Sequence, residues 1–165
     1  MRSAFMCVLL PALLLAGCDD YPRDPEHSLR RARTEAMRVG VSHDPPHVVL
    51  DAGGEPHGSD IDRVRALARE QGARIEWVVL GHDRLMRELL AFRLHLVAGG
   101  HHPETPWQPR VSWSREYPAR AADDGSLTLR RWALPPGENA WQLEVDRFLQ
   151  RRDRAALAAS AGAAP

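Results

Sequence analysis

The stretch Met37–Gln71, MRVGVSHDPPHVVLDAGGEPHGSDIDRVRALAREQ, constrains the fold more than any other part of the 165-residue sequence. Val39 and Val41 alternate with other residues and the run stops at Ser42, as a short strand in a covered sheet would. A loop crowded with His, Asp and Pro follows. Gly53 and Gly54 then turn His47–Asp51 back toward Gly58 as a small hairpin. Ser59 or Asp60 is placed to cap the next helix. Its apolar residues Ile61, Val64, Leu67 and Ala68 fall on one face, and Gly72 offers the C-terminal stop.

Downstream, Ile75–Leu80 reads as a second strand. Asp83 can cap a helix carrying Leu85, Met86, Leu89 and Leu90 on one side, and Leu94–Ala98 makes a third strand. The order strand, helix, strand, helix, strand predicts a mostly parallel sheet covered on both faces, a three-layer α/β domain. In such sheets the loops at the carboxyl ends of the strands form the binding edge. Val111–Ser114 is a further short strand, and Glu116–Gly125 is polar and rich in turn residues. Leu127–Leu134 reads as one strand. A final helix over Asn139–Arg152 stacks Trp141, Val145, Phe148 and Leu149 on one stripe. From Ala155 the sequence is low-complexity, so residues 153–165 are expected to be a disordered tail.

The first residues read as an address. Arg2 precedes an apolar run from Ala4 to Ala16, too short to span a membrane comfortably. It ends in Leu15-Ala16-Gly17-Cys18, which resembles the lipobox of bacterial lipoproteins. That resemblance implies a signal peptide over 1–17, acylation (palmitate among the chains) at Cys18, and a lipidated tether over 18–36. Asp19 and Asp20 after the Cys imply retention on the periplasmic side of the inner membrane, a rule that varies among bacteria, so the outer membrane stays open. Cys7 would be lost with the signal peptide, leaving a mature chain with no disulfide.

Formal charge balances at 22 basic against 22 acidic residues, all the basic ones Arg and scattered, which argues against nucleic acid as a partner. No G-x-S-x-G, P-loop or dinucleotide glycine triplet is present, so the expectation is a protein that is not an enzyme.

Four motifs in order carry a family resemblance. Gly58-Ser59-Asp60-Ile61-Asp62 resembles the G-f-D-v-D of family 3 extracellular solute-binding proteins, and Leu89–Gly99 resembles their L-q-s-G-k-v-D-l-i-i-a-G. Trp113–Tyr117 resembles F-S-d-P-Y, and Arg131–Asn139 the C-terminal strand and turn. The family serves ABC importers of polar amino acids and related solutes. Its fold has two lobes of the type II periplasmic-binding-protein kind. Here Pro118–Ser126 stands where the second lobe would be, and nine residues are too few to bury a core. The chain therefore reads as lobe one alone, over residues 37–152, and as a monomer. Phe92 and His95 stand where the family has Gly and Asp, so the turn before the third strand is expected to differ. The family's carboxylate-pairing Arg falls at Thr105, Pro106 or Trp107, and the nearest Arg is Arg110.

The resemblance implies a small polar solute, or a membrane transporter subunit, as partner. The candidate ligand-binding residues are Asp44, His47, Gly99, His101 and His102 at the strand edge. Two other readings stand beside this one: a docking lipoprotein that binds no solute, and a periplasmic metal-binding protein. In the latter His43, His47, His101 and His102 would hold a divalent cation such as Zn, Cu or Ni, imidazole being a favoured ligand for those metals. No other cofactor is expected. Asp60 and Asp62 read as first-turn helix residues rather than a catalytic pair. Trp107 and Trp113 read as core rather than as walls of a binding shelf.

Overall fold

The structure, a computed structural model, describes residues 21–101, 104–120 and 126–162. The signal-peptide segment, Cys18 and His102 lie outside those residues. Strand β1 (Met37–Val41) has a partner strand on each side. It pairs in parallel with β2 (Ile75–Val79) on one side and with β3 (Leu96–Ala98) on the other. Beyond β3 lie β7 (Ala133–Leu134) and then β4 (Ser112–Trp113), giving the order β2-β1-β3-β7-β4. Strand β7 runs antiparallel to both its neighbours, so the other strands of this sheet share one direction. The mostly parallel α/β lobe expected from the sequence is the fold observed.

Side-chain alternation explains the three layers. Val39, Val41, Leu96, Ala98 and Leu134 point to one face, where α2 (Ser59–Gln71) and α4 (Asn139–Gly162) cover them. Val97 and Ala133 point to the other, against Leu85, Met86 and Leu89 of α3 (His82–Leu90). Gly40 also faces α3. A Cβ there would sit 2.9 Å from Leu94 Cδ1 and 3.0 Å from Leu85 Cδ2, so the missing side chain is what lets that helix approach. The apolar residues that the sequence places on α2 and α4 are buried, and α2 buries Asp60, Ala66 and Gln71 as well. Ile61, Val64, Leu67 and Ala68 are buried on α2, and Trp141, Val145, Phe148 and Leu149 on α4. Gly72 ends α2 in the left-handed conformation.

Several expectations are corrected. Part of the stretch read as a tether is folded: α1 (Ser28–Thr34) lays Ala32 into the core. A buried carboxylate from the start of α4 fixes it, since Glu138 accepts the backbone N–H groups of Glu26 and Ser28, both at 3.0 Å. Burial alone would raise the Glu138 pKa, but these donors hold it below the usual carboxylate range. The stretch read as a disordered tail continues α4 as helix through Gly162. Leu127–Leu134 is not one strand. It divides into β6 (Leu127–Arg130) and β7, and β6 pairs antiparallel with β5 (Tyr117–Arg120) inside the segment read as turn-rich. Phe92 keeps the turn that glycine would make, at φ 55°, so the turn does not differ as expected. Neither Ser59 nor Asp60 caps α2. Gly58 occupies the cap position, and no side chain bonds there.

Two histidines are held neutral by this packing. His95 lies inside the fold, its Nδ1 accepting the Arg38 N–H at 2.9 Å, and Trp141 Nε1 donates to its carbonyl at 2.7 Å. Burial, then nearby Arg31, lowers its pKa to about 4. Burial lowers the pKa of His101 to about 4 as well.

Both depressed values mean that the unfolded chain takes up the protons first. Stability is therefore complete above the ordinary His pKa of about 6.5 and is lost as pH falls toward 4. Urea unfolding at pH 5 should show a loss of roughly 2 kcal/mol per histidine against pH 7. His95→Asn, which keeps an acceptor but does not titrate, should remove its share. An unchanged pH dependence in that variant would refute the assignment. Separately, Val41→Ala and Leu67→Ala, both at fully buried positions, should each cost about 2–4 kcal/mol in chemical denaturation.

Candidate functional site

Because β1 and β3 are parallel, the loops that leave Val41 and Ala98 emerge at the same edge of the sheet. They touch there. Gly99, at φ 83°, sits so close to the Ser42 carbonyl that a Cβ would lie 2.4 Å from its oxygen. Ser42 donates its N–H to the Ala98 carbonyl at 3.2 Å. Asp44 then stitches the two loops: one carboxylate oxygen, Oδ2, accepts the Gly100 N–H at 3.0 Å. Gly99 thus serves as the close-approach point of the two loops, and Asp44 faces the edge.

The same oxygen of Asp44 also accepts from Arg130 Nη2 at 2.5 Å. Arg130 reaches Asp60 as well, placing Nε and Nη2 at 3.1 and 3.0 Å from Asp60 Oδ2. Asp60 is only 1% exposed, and Arg130 is mostly covered. The position of Arg130 follows from strand geometry. Leu127 and Leu129 of β6 point to solvent, so Arg130 shares the inward face and lies opposite buried Tyr117 in the register. Burial disfavours its charge, but the two carboxylates outweigh this and raise its pKa. Asp44 is pushed up by burial and pulled down further by Arg130 and the Gly100 N–H, ending below its ordinary value. Tyr117 is shifted well upward, first by burial and then by the Asp60 charge. Arg130 is the member of this candidate site that sequence reasoning missed. The Asp60 side chain, read as part of a helix start, faces it.

His47 belongs to this corner. Its ring is nearly buried, Nδ1 lies 2.7 Å from Ser59 Oγ, and burial together with Arg130 lowers its pKa. Two of the other proposed ligands, His43 and His101, do not join it. His43 Nδ1 accepts the Leu50 N–H at 3.3 Å. His101 turns its ring away from the edge. Nε2 donates to the Val97 carbonyl at 2.9 Å, and the ring stacks edge-on against His82 and Trp113, with centroids 5.2 and 5.1 Å away. The structure thus removes His101 from the ligand-binding and metal sets, because its ring is packed inside. Among the described residues, no group of three or more His, Cys, Asp or Glu side chains could hold a metal ion.

Beside the Gly100 loop lies a cavity of about 370 Å³, lined by His82, Asp83, Glu104, Thr105 and Trp107 among others. Asp83 does not cap α3. It accepts the Trp107 indole N–H at 3.0 Å, which fixes Trp107 as part of the α3-side core while one side of it still borders the cavity. Arg110 does not take the place of a carboxylate-binding Arg. Its guanidinium lies over the Trp107 ring, 5.0 Å from the centroid, on an exposed turn. The Asp44, Asp60 and Arg130 side chains form the ion-paired part of the strand edge.

No helix among the described residues is long and apolar enough to cross a membrane. Among solved structures, the chain is similar to a point mutant of the arginine-bound form of domain 1 from TmArgBP. The identity is 22% and the TM-score 0.65, over 76% of this chain and 98% of that one. It is also similar to the arginine-bound form of truncated ArgBP from T. maritima, at 15% identity and TM-score 0.61 over 76% and 99%. A third is the ancestral amino acid-binding protein AncCDT-1, a precursor of cyclohexadienyl dehydratase, at 15% and 0.64 over 77% and 93%. These likenesses establish the fold. No curated protein matches the chain. The model of the bacterial extracellular solute-binding proteins, family 3, matches residues 37–155, from the first residue of β1 into the exposed end of α4. With its sheet order and single lobe, this chain belongs to the family 3 extracellular solute-binding proteins.

Proposed function

We propose that the chain is a transporter-associated lipoprotein of the periplasmic side of the inner membrane, a binding subunit for a small polar solute rather than an enzyme. The observation that carries this reading is the edge where the Ser42 and Gly99 loops meet and are stitched by Asp44 onto Gly100. Such an edge offers backbone groups and a carboxylate to a polar solute from one side only. A two-lobed member of the family would cover a solute from the other side as well. A lone lobe leaves much of it wet and gains less from burial. The absence of an Arg at the Thr105–Trp107 turn removes the usual partner of a solute carboxylate.

A second reading, a docking lipoprotein without a solute, is favoured by a different feature. A groove of about 760 Å³ lies between the β5–β6 ribbon and the end of α4. Leu127, Leu129 and Leu157 are each about two-thirds exposed there. Arg115, Arg120 and Arg152 also line the groove. Apolar side chains left open beside guanidinium groups suit a partner surface better than bulk water.

Membrane attachment rests on Cys18. The intact mass of membrane-extracted protein should correspond to a chain that begins at acylated Cys18, and Cys18→Ala should release it. Recovery of an unmodified chain starting elsewhere would sink the anchor. For the solute, calorimetry with the common amino acids should give affinities no tighter than about 0.1 mM, or about −5.5 kcal/mol. Micromolar binding would overturn the argument from a single lobe. Silence with every solute, together with recovery of a membrane protein partner, would favour the docking reading.

A further inference from the structure

The Arg130 corner has the features of a binding site that is already filled. Two carboxylates from separate elements, Asp44 in the loop after β1 and Asp60 in the first turn of α2, converge on one guanidinium. Without it they would place two negative charges beside each other at the strand edge, one of them on a fully buried residue. Such a pair demands a cation. Arg130 meets that demand incompletely. It engages only Oδ2 of each carboxylate. Asp60 Oδ1 and the Tyr117 hydroxyl are buried without a hydrogen bond of good geometry among the described residues, although the carboxylate lies close enough to the phenol to help raise its pKa. A planar group with several N–H donors, entering at a different angle, would find both oxygens of Asp60 and the phenol oxygen as acceptors.

Arg130 also comes from a strand outside the five-stranded sheet. Strand β6 pairs only with β5, in a two-stranded ribbon separate from the main sheet. Its side chain can leave the corner without breaking any ladder bond of β1, β3 or β7. The rest of the corner stays in place, because Asp44 is held by the Gly100 N–H and its own N–H bonds the Val48 carbonyl at 2.8 Å.

We propose that Asp44, Asp60 and Tyr117 form a subsite for a guanidinium or alkylammonium group, that Arg130 is its built-in occupant, and that a cationic solute binds there by displacing the Arg130 side chain. For its biological use this rests on the solute-binding reading above; the chemistry of the corner does not. A tethered occupant competes at an effective concentration of the order of millimolar or higher, so the natural chain binds a free cation weakly. This also gives the shelf a class preference. A solute with a cationic tail pairs with the corner, whereas one with an anionic tail meets Asp44.

The test titrates methylguanidinium chloride into the full chain and into Arg130→Ala at constant ionic strength, read by calorimetry and by thermal shift. Arg130→Ala should bind methylguanidinium at least about tenfold more tightly than the natural chain. The gain should disappear when Asp44→Asn is added. A folded Arg130→Ala that shows no gain overturns the proposal, and so does a gain that survives Asp44→Asn. If Arg130→Ala does not fold with or without methylguanidinium, Arg130→Gln, which keeps the bulk without the charge, decides by the same titration. A lack of gain there overturns the proposal equally. The outcome is separable from the solute-binding reading. A gain in the variant with no solute bound by the natural chain would leave the subsite standing and remove its transport role. A solute bound by the natural chain with no gain in the variant would do the reverse.

Discussion

The parallel pairing of Met37–Val41 with strands on both its sides is the constraint on which the rest of the lobe depends. A strand bonded along both edges and covered on both faces has no tolerance for slip, since a shift of one residue would exchange its two faces. Val39 and Val41 would then collide with α3, and Gly40 would leave a hole beneath α2 and α4. The register is thus locked by the difference in size between the two faces. Parallel strands also force each connection to cross over through a helix, and that returns both loops to one edge. The meeting of Ser42 with Gly99 is the direct consequence. The loops share one edge because this strand cannot be arranged otherwise.

How much of this was legible in the sequence depends on how local the cause is. The apolar stripes of α2 and α4 were readable because helical periodicity is a property of neighbouring residues. The handover from Val41 into the loop was readable for the same reason. Segment 21–36 was not, because what orders it is the Glu138 carboxylate, whose bonds to the Glu26 and Ser28 N–H groups span more than a hundred residues. A polar stretch with two prolines has the composition of a tether until a distant acceptor satisfies its donors. Phe92 misled in the opposite sense. A bulky residue argues against a left-handed turn, yet the backbone keeps that conformation because β3 and α3 fix both its ends.

The site was half legible. Asp44 and His47 could be singled out from their place after the first strand, since loops at the carboxyl edge are where polar side chains meet a solute. Arg130 could not, in a chain where 22 arginines carry all of the formal positive charge and none stands out. The available signal was subtle: a four-residue segment, LTLR, whose alternation puts Thr128 and Arg130 on the face opposite Leu127 and Leu129. A charge on the inward face of a short strand needs a buried counter-ion, and the first Asp of GSDID was the candidate. Reading Asp60 as a cap concealed this. Helix-start propensity and ion pairing use the same residue type, and only the fold tells them apart.

A binding protein with two lobes reports occupancy by closing one lobe onto the other. A lone lobe has no partner lobe to close upon, so a signal has to come from movement within it. The five-stranded sheet is a poor source of movement: its central strand is fully bonded, and its side chains are packed from both sides. The β5–β6 ribbon is the contrasting element. It is a separate pair of strands with solvent-facing leucines, and it reaches the solute edge through the Arg130 guanidinium and the Tyr117 phenol. Short two-stranded ribbons are marginal on their own, so the ion pairs of Arg130 and the packing of Tyr117 hold this one down. Arg130 thus stands between Asp44 and the strand whose Leu127 and Leu129 line the groove together with Leu157. The edge where a solute would bind and the face where a partner would dock therefore share the β5–β6 ribbon.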